Sequence, residues 1–269
     1  MKGFCLLALI SQAIAAPTLQ SRATTDTSAF SPLARAAKLS SAAYTGCVGK
    51  AFDVTITKQI RDTLTDTQGY VGYSTDNKKI TVVMRGSTTV TDILNDVDTT
   101  LVTPSLSGVT FPAGVQIMRG VNRPWSAVHD DVISEVKSLI SKYPDYTLES
   151  TGHSLGGALT YISYVALSQN FPDKEITSNA LAAFPIGNAA WANFAGSLKG
   201  TLNRGNNAAD GVPHYGTEYY SSGLALTCKR CDGQRDLSCS AGNGMVGVTA
   251  GHFQSFGVTL GAAGCGILS

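Results

Sequence analysis

The 269-residue chain is long enough for one large α/β domain with a sizeable core, or for two small domains. No stretch in its middle has the composition of a linker, so one domain is the better interpretation. With 20 basic and 19 acidic residues, the formal net charge of +1 argues against a nucleic-acid or polyanion partner. We therefore expect binding to occur in a pocket.

The N-terminus has the layout of a secretory signal peptide over residues 1–16. A lysine precedes an apolar run from Phe4 to Ile10, and small residues then lead to Pro17. The run is too short to span a bilayer, although a membrane anchor or a buried helix is the alternative. Residues 17–29 are polar and predict a pro-segment or flexible arm before a single domain at 30–269. We expect an extracellular protein whose mature chain has no integral membrane segment.

One of the six cysteines lies in the signal peptide, and an exported chain favours disulfides for the others. The remaining five are Cys47, Cys228, Cys231, Cys239 and Cys265. Cys47 and Cys265 could join the two ends of the domain. One local bridge among the other three would leave one thiol free. A zinc site on Cys228-x-x-Cys231 with Cys239 is the competing interpretation, but export disfavours it, so we expect no metal.

The first part of the domain reads as one helix followed by three strands. Small and apolar positions recur at helical spacing over 31–45. Segments rich in β-branched and aromatic residues follow at 53–57, 69–74 and 80–85, separated by polar turns. The last of these is nearly all apolar at its centre, which is typical of a strand covered on both faces.

Helices and strands alternate in the next part. An amphipathic helix is predicted to begin at Pro124 and to end before Pro144. A strand at 146–151, an apolar helix at 155–171 and strand candidates at 180–184 and 218–222 follow. Such alternation predicts an α/β fold with a mainly parallel central sheet and helices on both faces.

The pentapeptide from Gly152 to Gly156, with Ser154 at its centre, lies between the strand at 146–151 and the next helix. This G-x-S-x-G pattern is the nucleophile elbow of α/β-hydrolases, a turn too tight for larger side chains at the glycines. It presents the serine hydroxyl at a helix N-terminus, where backbone N–H groups favour negative charge. The alternative is a glycine-lined turn whose serine merely caps the helix.

A nucleophilic serine needs a base. The chain has four histidines. His153 lies inside the elbow and is expected to point away from the serine, and His129 is expected to be solvated on the polar side of a helix. His214 would compete with the acid for one loop. Because the order in this fold is serine, acid, histidine, His252 is the predicted base.

The acid must lie between Ser154 and His252. Asp210 lies in a loop with Gly211 and Pro213 and is our choice, with an Asx-turn residue as the alternative. The other candidates are most simply turn residues: Asp173, Asp232 and Asp236.

Acyl transfer also needs donors for the tetrahedral oxyanion. The backbone N–H of Leu155 follows the nucleophile directly. Ser87, at the end of the strand at 80–85, is the second candidate, although it could simply cap the next segment.

Taken together, these residues resemble the fungal class 3 lipase family, which contains filamentous-fungal triacylglycerol lipases and related feruloyl esterases. The resemblance runs from Phe30 to the end of the chain. It rests on four motifs in order: R-G-S at 85–87, T-G-H-S-L-G-G at 151–157, N-x-x-D-x-V-P at 207–213 and H-x-x-x-F-G at 252–257. The chain departs from the family after the elbow helix, where "AFPIGN" lacks the usual arginine, and at "MRGV", which retains only Gly120 of H-x-G-F.

The resemblance implies that Ser154, Asp210 and His252 form the triad, that Ser87 and Leu155 form the oxyanion hole, and that a bridge links the two ends of the domain. It also implies a lid after Ser87. If that segment is helical, Ile93, Leu94 and Val97 form an apolar face over the nucleophile; an ordinary surface helix is the alternative.

We therefore expect a secreted, monomeric serine hydrolase that needs no cofactor and cleaves acylglycerols at a lipid–water interface through an acyl-enzyme. A feruloyl esterase acting on plant cell-wall esters is the alternative, since the lid lacks the tryptophan that some true lipases carry. An inactive binding protein with the same fold is the more remote one.

Overall fold

The computed structural model describes residues 30–88, 97–207, 209–214 and 245–266. The N-terminal half contains α1 (Phe30–Thr45), β1 (Lys50–Ala51), β2 (Val54–Asp62), β3 (Thr67–Ser74), β4 (Lys79–Met84), β5 (Leu101–Val102), β6 (Ile117–Met118) and α2 (Arg119–Lys142). The C-terminal half contains β7 (Thr147–His153), α3 (Leu155–Asn170), β8 (Ile176–Leu181), α4 (Ala189–Ser197), β9 (Thr201–Gly205), β10 (Gln254–Ser255) and β11 (Val258–Thr259). Two short 3-10 helices cover Val212–His214 and Ala250–Phe253.

The central sheet has seven strands in the order β1-β2-β3-β4-β7-β8-β9. Strands β1 to β4 pair antiparallel, while β4, β7, β8 and β9 pair parallel. The α/β-hydrolase fold is confirmed, but the sheet is mixed: its parallel part runs from β4 to β9, and its other strands pair antiparallel. The physical reason is the length of the connections, because the short polar turns between β2, β3 and β4 permit only hairpins.

Helices cover both faces of this sheet, as predicted. On one face α1 packs Leu39 into a cluster with Tyr70 and Val83. On the other face Val71 and Val82 belong to the main core, which α2 and α3 complete. The alternation of neighbouring strand residues between the two clusters follows from the period of two in a β-strand.

Some predicted boundaries differ from the structure. Helix α2 begins at Arg119, so Pro124 lies within it and does not start it. The earlier start is held by backbone bonds from Arg119 N to Thr100 O (2.8 Å) and from Gly120 N to Asp98 O (2.9 Å). Strand β8 covers 176–181, four residues earlier than the predicted segment, and the predicted strand at 218–222 lies outside the described residues.

A disulfide joins Cys47 to Cys265 across 218 positions of sequence, which confirms this pairing. The C-terminal segment also binds α1 through Gly261 N, which donates to Ser41 Oγ at 2.9 Å. The N-terminal helix and the C-terminus are thus held together beside the sheet. None of the helices in the described ranges has the length and apolar character needed to cross a bilayer.

Candidate active site

Ser154 stands at the junction between β7 and α3, where the chain turns sharply. Its backbone has φ 60° and ψ −123°, a conformation that side-chain-bearing residues rarely adopt. Its N–H donates to Leu181 O on the neighbouring strand β8 at 2.9 Å, which fixes the turn to the sheet. The side chain makes no capping hydrogen bond to α3, so the structure does not show the simple helix-cap arrangement.

The glycines around Ser154 are required by close backbone contacts. A Cβ at Gly152 would lie 2.2 Å from Gly156 O, and a Cβ at Gly156 would lie 2.2 Å from Met84 O. Any side chain at either position would therefore push α3 away from β4 and β7. The elbow keeps its shape because the helix, the strand and the serine turn are in direct backbone contact.

Asp210 and His252 contact each other in the interior, and His252 lines the same cavity as Ser154. His252 Nδ1 lies 2.9 Å from Asp210 Oδ2, and both side chains are fully buried. Val212 N donates to the other carboxylate oxygen at 3.0 Å. Because a carboxylate only accepts, Nδ1 of His252 carries the proton, and Nε2 of the neutral ring is left as an acceptor.

The loops that carry Asp210 and His252 are tied to each other. Asn207 Nδ2 donates to Gln254 O at 3.0 Å, and Thr249 Oγ1 donates to Ala209 O. A β-bridge between Gly211 and Gly247 adds a backbone link. The acid and the base are therefore held by one unit of paired loops.

A cavity of about 200 Å³ lies in front of these side chains. Ser154 Oγ and His252 Nε2 are both buried beside it, and neither has a hydrogen-bond partner within the described residues. Catalytic hydrogen bonds are often long in unliganded enzymes and tighten with substrate. The cavity is thus lined by an unpartnered hydroxyl and an unpartnered ring nitrogen.

Ser87 lines the same cavity, and its loop is held at the end of β4. The preceding Arg85 is tied to Gln68 by its backbone N–H at 2.8 Å and by its Nη1 at 2.7 Å. Leu155 is the first residue of α3, so its N–H belongs to the free first turn of a helix. Both predicted oxyanion donors therefore lie at the carboxyl edge of the parallel strands, beside Ser154.

Sequence reasoning missed part of the wall of this cavity. Tyr44 from α1, Phe253 beside the candidate base and Leu260 near the C-terminus also line it. No local motif marks them, because they come from distant parts of the chain and meet only through the fold.

The expectation for His129 is wrong. Its side chain is only 2% exposed, Trp125 Nε1 donates to its Nδ1 at 3.2 Å, and its Nε2 lies 2.8 Å from Ser107 O. A single sequence shows which helix face is polar, but it does not show that a loop covers that face. His214 ends the short helix after the acid loop.

His153 has partners that the sequence did not indicate. The residue contributes to the cavity lining, and its buried ring contacts the backbone of His252.

The predicted lid is described only at its end. Val97 is partly buried against the main core, whereas Ile93 and Leu94 lie outside the described residues. Cys228, Cys231 and Cys239 also lie outside them, so the local bridge and the zinc alternative stay as stated. The described ranges contain no cluster of ligating side chains that could hold a metal ion.

Comparison with known proteins gives one consistent result. The family model for lipase (class 3) matches residues 81–220. A secreted alkaline triacylglycerol lipase from Penicillium cyclopium is 67% identical over 98% of this chain and 96% of its own length. The crystal structure of a triacylglycerol lipase from Penicillium expansum is 66% identical and superimposes with a TM-score of 0.84, covering 91% of this chain and 100% of that one. A lipase from Rhizopus microsporus var. chinensis shares the fold at 22% identity, with a TM-score of 0.77 over 88% of this chain and 90% of its own.

Proposed function

This chain belongs to the class 3 lipase family and is a secreted ester hydrolase, and on that premise we propose that it hydrolyses triacylglycerols with Ser154, Asp210 and His252 as its catalytic triad. The observation that carries the assignment is the buried His252–Asp210 pair at 2.9 Å, beside the cavity that Ser154 also lines. The reaction steps follow from the roles of the Ser154 hydroxyl, the His252 imidazole and the Asp210 carboxylate.

In the first half-reaction Ser154 Oγ attacks the ester carbonyl carbon while His252 Nε2 takes the hydroxyl proton. The tetrahedral intermediate then collapses as the same nitrogen returns the proton to the departing alcohol oxygen, which leaves an acyl-enzyme. In the second half-reaction water repeats the attack, and the fatty acid leaves with Ser154 restored. Asp210 holds the ring in the tautomer that exposes Nε2 and stabilises the imidazolium in each half.

The oxyanion needs donors already in place, because reorganising them during the reaction would raise the barrier. We assign this role to the backbone N–H groups of Leu155 and Ser87. The N-terminus of α3 adds a favourable dipole at the same point. No metal or organic cofactor enters this scheme.

The natural substrate would be taken from a lipid–water interface by a monomeric enzyme, with the segment that contains Ile93, Leu94 and Val97 as the lid. Residues 1–16 would be removed as a signal peptide and 17–29 as a pro-segment or left as an arm, so the working domain is 30–269. Feruloyl esterase activity is not favoured, since the relatives of highest identity reported above are triacylglycerol lipases.

Two measurements test the proposal. A fluorophosphonate probe is expected to form one adduct on Ser154, and Ser154→Ala is expected to lower kcat by at least about 10⁴-fold without loss of folding. The purified protein is then offered triolein, a monoacylglycerol, p-nitrophenyl esters and methyl ferulate. Labelling on another residue would overturn the triad, and methyl ferulate as the best substrate would overturn the lipase assignment.

A further inference from the structure

We propose that His153 is a positioning residue for the base: through its ring it holds the backbone of His252 so that the His252 imidazole faces the nucleophile. The inference rests on the proposed triad and adds to it a residue outside that triad. It explains why a second histidine ring lies against the base in the interior of the site.

The contact is short and buried. His153 Nε2 lies 2.7 Å from the carbonyl oxygen of His252, and the two rings are 4.6 Å apart between centroids. On the other side of the ring, His153 Nδ1 lies 3.0 Å from the hydroxyl of Tyr44. The ring is therefore held at both nitrogens, between α1 and the loop that carries the base.

The protonation of this ring follows from its partners. A carbonyl oxygen can only accept, so His153 Nε2 carries the proton and Nδ1 accepts from the Tyr44 hydroxyl. Burial, aided by the nearby His252, lowers the pKa of His153 to about 3, so the ring stays neutral. Burial likewise raises the pKa of Tyr44, which keeps its hydroxyl protonated as a donor. The whole arrangement thus keeps one protonation pattern across the working pH of an enzyme.

The position of Tyr44 is fixed by contacts besides the one with the His153 ring. A Cβ at Gly86 would lie 1.9 Å from the Tyr44 hydroxyl, so this hydroxyl is packed directly against the backbone that precedes Ser87. The same hydroxyl lies 3.3 Å from His153 O. Tyr44 therefore links His153 to the loop that we assign to the oxyanion hole, and the His153 ring in turn contacts His252 O.

The anchored carbonyl belongs to a short segment outside the seven-stranded sheet. His252 lies in a 3-10 helix of four residues, and its own N–H is held by Thr249 O at 3.0 Å. Its side chain is held from one end only, by Asp210. Without the bond from His153, the peptide that carries the base loses a fixed point, and a displacement of about 1 Å at a catalytic group can cost about 100-fold in rate.

His153 itself does not transfer the proton. Its Nε2–H is already used on a carbonyl, and its low pKa makes it a poor base at neutral pH. Its effect must therefore act through His252 and must appear in kcat, with little change in KM.

The experiment compares three variants on p-nitrophenyl butyrate, a soluble ester that requires no interface. His153→Leu removes both ring hydrogen bonds. His153→Gln places an amide N–H where Nε2 stood, so that it can still donate to His252 O. His129→Leu is the matched control. His129 is also a buried histidine, and its Nε2 lies 2.8 Å from the backbone carbonyl of Ser107, but it does not line the cavity.

For His153→Leu we expect kcat to fall about 10- to 100-fold with KM within about twofold, and His153→Gln to recover most of the loss. His129→Leu is expected to lower the melting temperature while kcat per folded molecule stays within about twofold. If His153→Leu does not fold, the comparison of His153→Gln with His153→Asn replaces it, since the shorter amide cannot reach His252 O.

The outcomes separate this inference from the proposed function. Unchanged kcat in His153→Leu, or a loss equal to that of His129→Leu, would overturn the positioning role while Ser154 labelling still supports the triad. An equal loss in the Gln and Asn variants would also overturn it, because the donor to His252 O would then be irrelevant. Absence of a Ser154 adduct in the unmodified enzyme would instead remove the triad itself.

Discussion

Replacement of Glu149 by Gln tests how the sheet of this enzyme is held at the end away from the active site. The side chain is only 3% exposed. Its Oε1 accepts from Arg35 at 2.6 Å and from Thr81 at 2.7 Å, and its Oε2 accepts from Lys79 at 3.1 Å. One buried carboxylate in β7 therefore joins helix α1 and strand β4.

The expected cost follows from what each partner can do after the substitution. The Gln oxygen can still accept from Thr81, whereas its NH₂ group would meet the Lys79 ammonium, a donor facing a donor. Arg35 keeps its bonds to Asp53 and is not left unpaired, so the loss stays below the 3–5 kcal/mol of a fully stripped buried pair. Loss of the charge assistance in the remaining bonds gives an expected destabilisation of about 2–3 kcal/mol.

Urea unfolding followed by the fluorescence of Trp125 and Trp191, both buried, measures this difference. The control is Asp131→Asn, which breaks the Lys58–Asp131 pair at 2.9 Å on a side chain that is 71% exposed, where we expect no more than about 1 kcal/mol. Equal losses in the two variants would refute the reasoning, because burial would then have no bearing on the strength of these pairs.

Four further predictions follow from the described contacts and from the sequence. Replacing both Cys47 and Cys265 by Ser removes a link across 218 positions and is expected to lower the free energy of unfolding by up to about 5 kcal/mol; an unchanged denaturation midpoint would contradict this. Ser87→Pro removes a backbone N–H and is expected to lower kcat about 10²- to 10³-fold with little change in KM, and a loss seen only in KM would argue against the oxyanion role. The pKa of His153 falls from 6.5 to about 3 on folding, so between these pH values the unfolded chain binds more protons than the folded one. The free energy of unfolding should therefore decrease as the pH falls from 6.5 to about 3. In acid titrations followed by circular dichroism, His153→Gln should flatten this dependence. Activity on a mid-chain ester is expected to rise sharply above its solubility limit, and Leu94→Asp is expected to weaken this rise, whereas a smooth hyperbolic profile in the unmodified enzyme would contradict the lid assignment.

The residues that motifs mark could be proposed from the sequence because their signal is local. The glycines beside Ser154 are required by contacts within one turn and with the two strands beside it. Asp210 and His252 could be chosen because chain order in this fold restricts the acid and the base to one segment each. For these positions the spacing along the chain is enough to predict where the side chain lies in the fold.

The residues that sequence reasoning misplaced depend on contacts between distant segments. His129 is buried by the loop that contains Ser107, 22 positions earlier, and no helical periodicity reports that cover. The partners of His153, which the sequence did not indicate, lie 99 positions away at His252 and 109 positions away at Tyr44. The start of α2 was also misplaced, because proline is typical of a helix start but is tolerated after it when backbone bonds hold the earlier turn.

Strand β7 carries both the ionic contacts of Glu149 and the turn at Ser154, and this determines what the Glu149 variant should do to catalysis. The two positions are five residues apart, about 17 Å along an extended strand. Between them β7 is paired on both sides, with β4 and with β8, from Leu148 to Gly152. The elbow is held by its own backbone contacts, so Glu149→Gln should lower stability and leave kcat per folded molecule within about twofold. A fall in kcat that accompanies the loss of stability would mean that the far end of the strand sets the geometry of the nucleophile, and the separation argued here would be wrong.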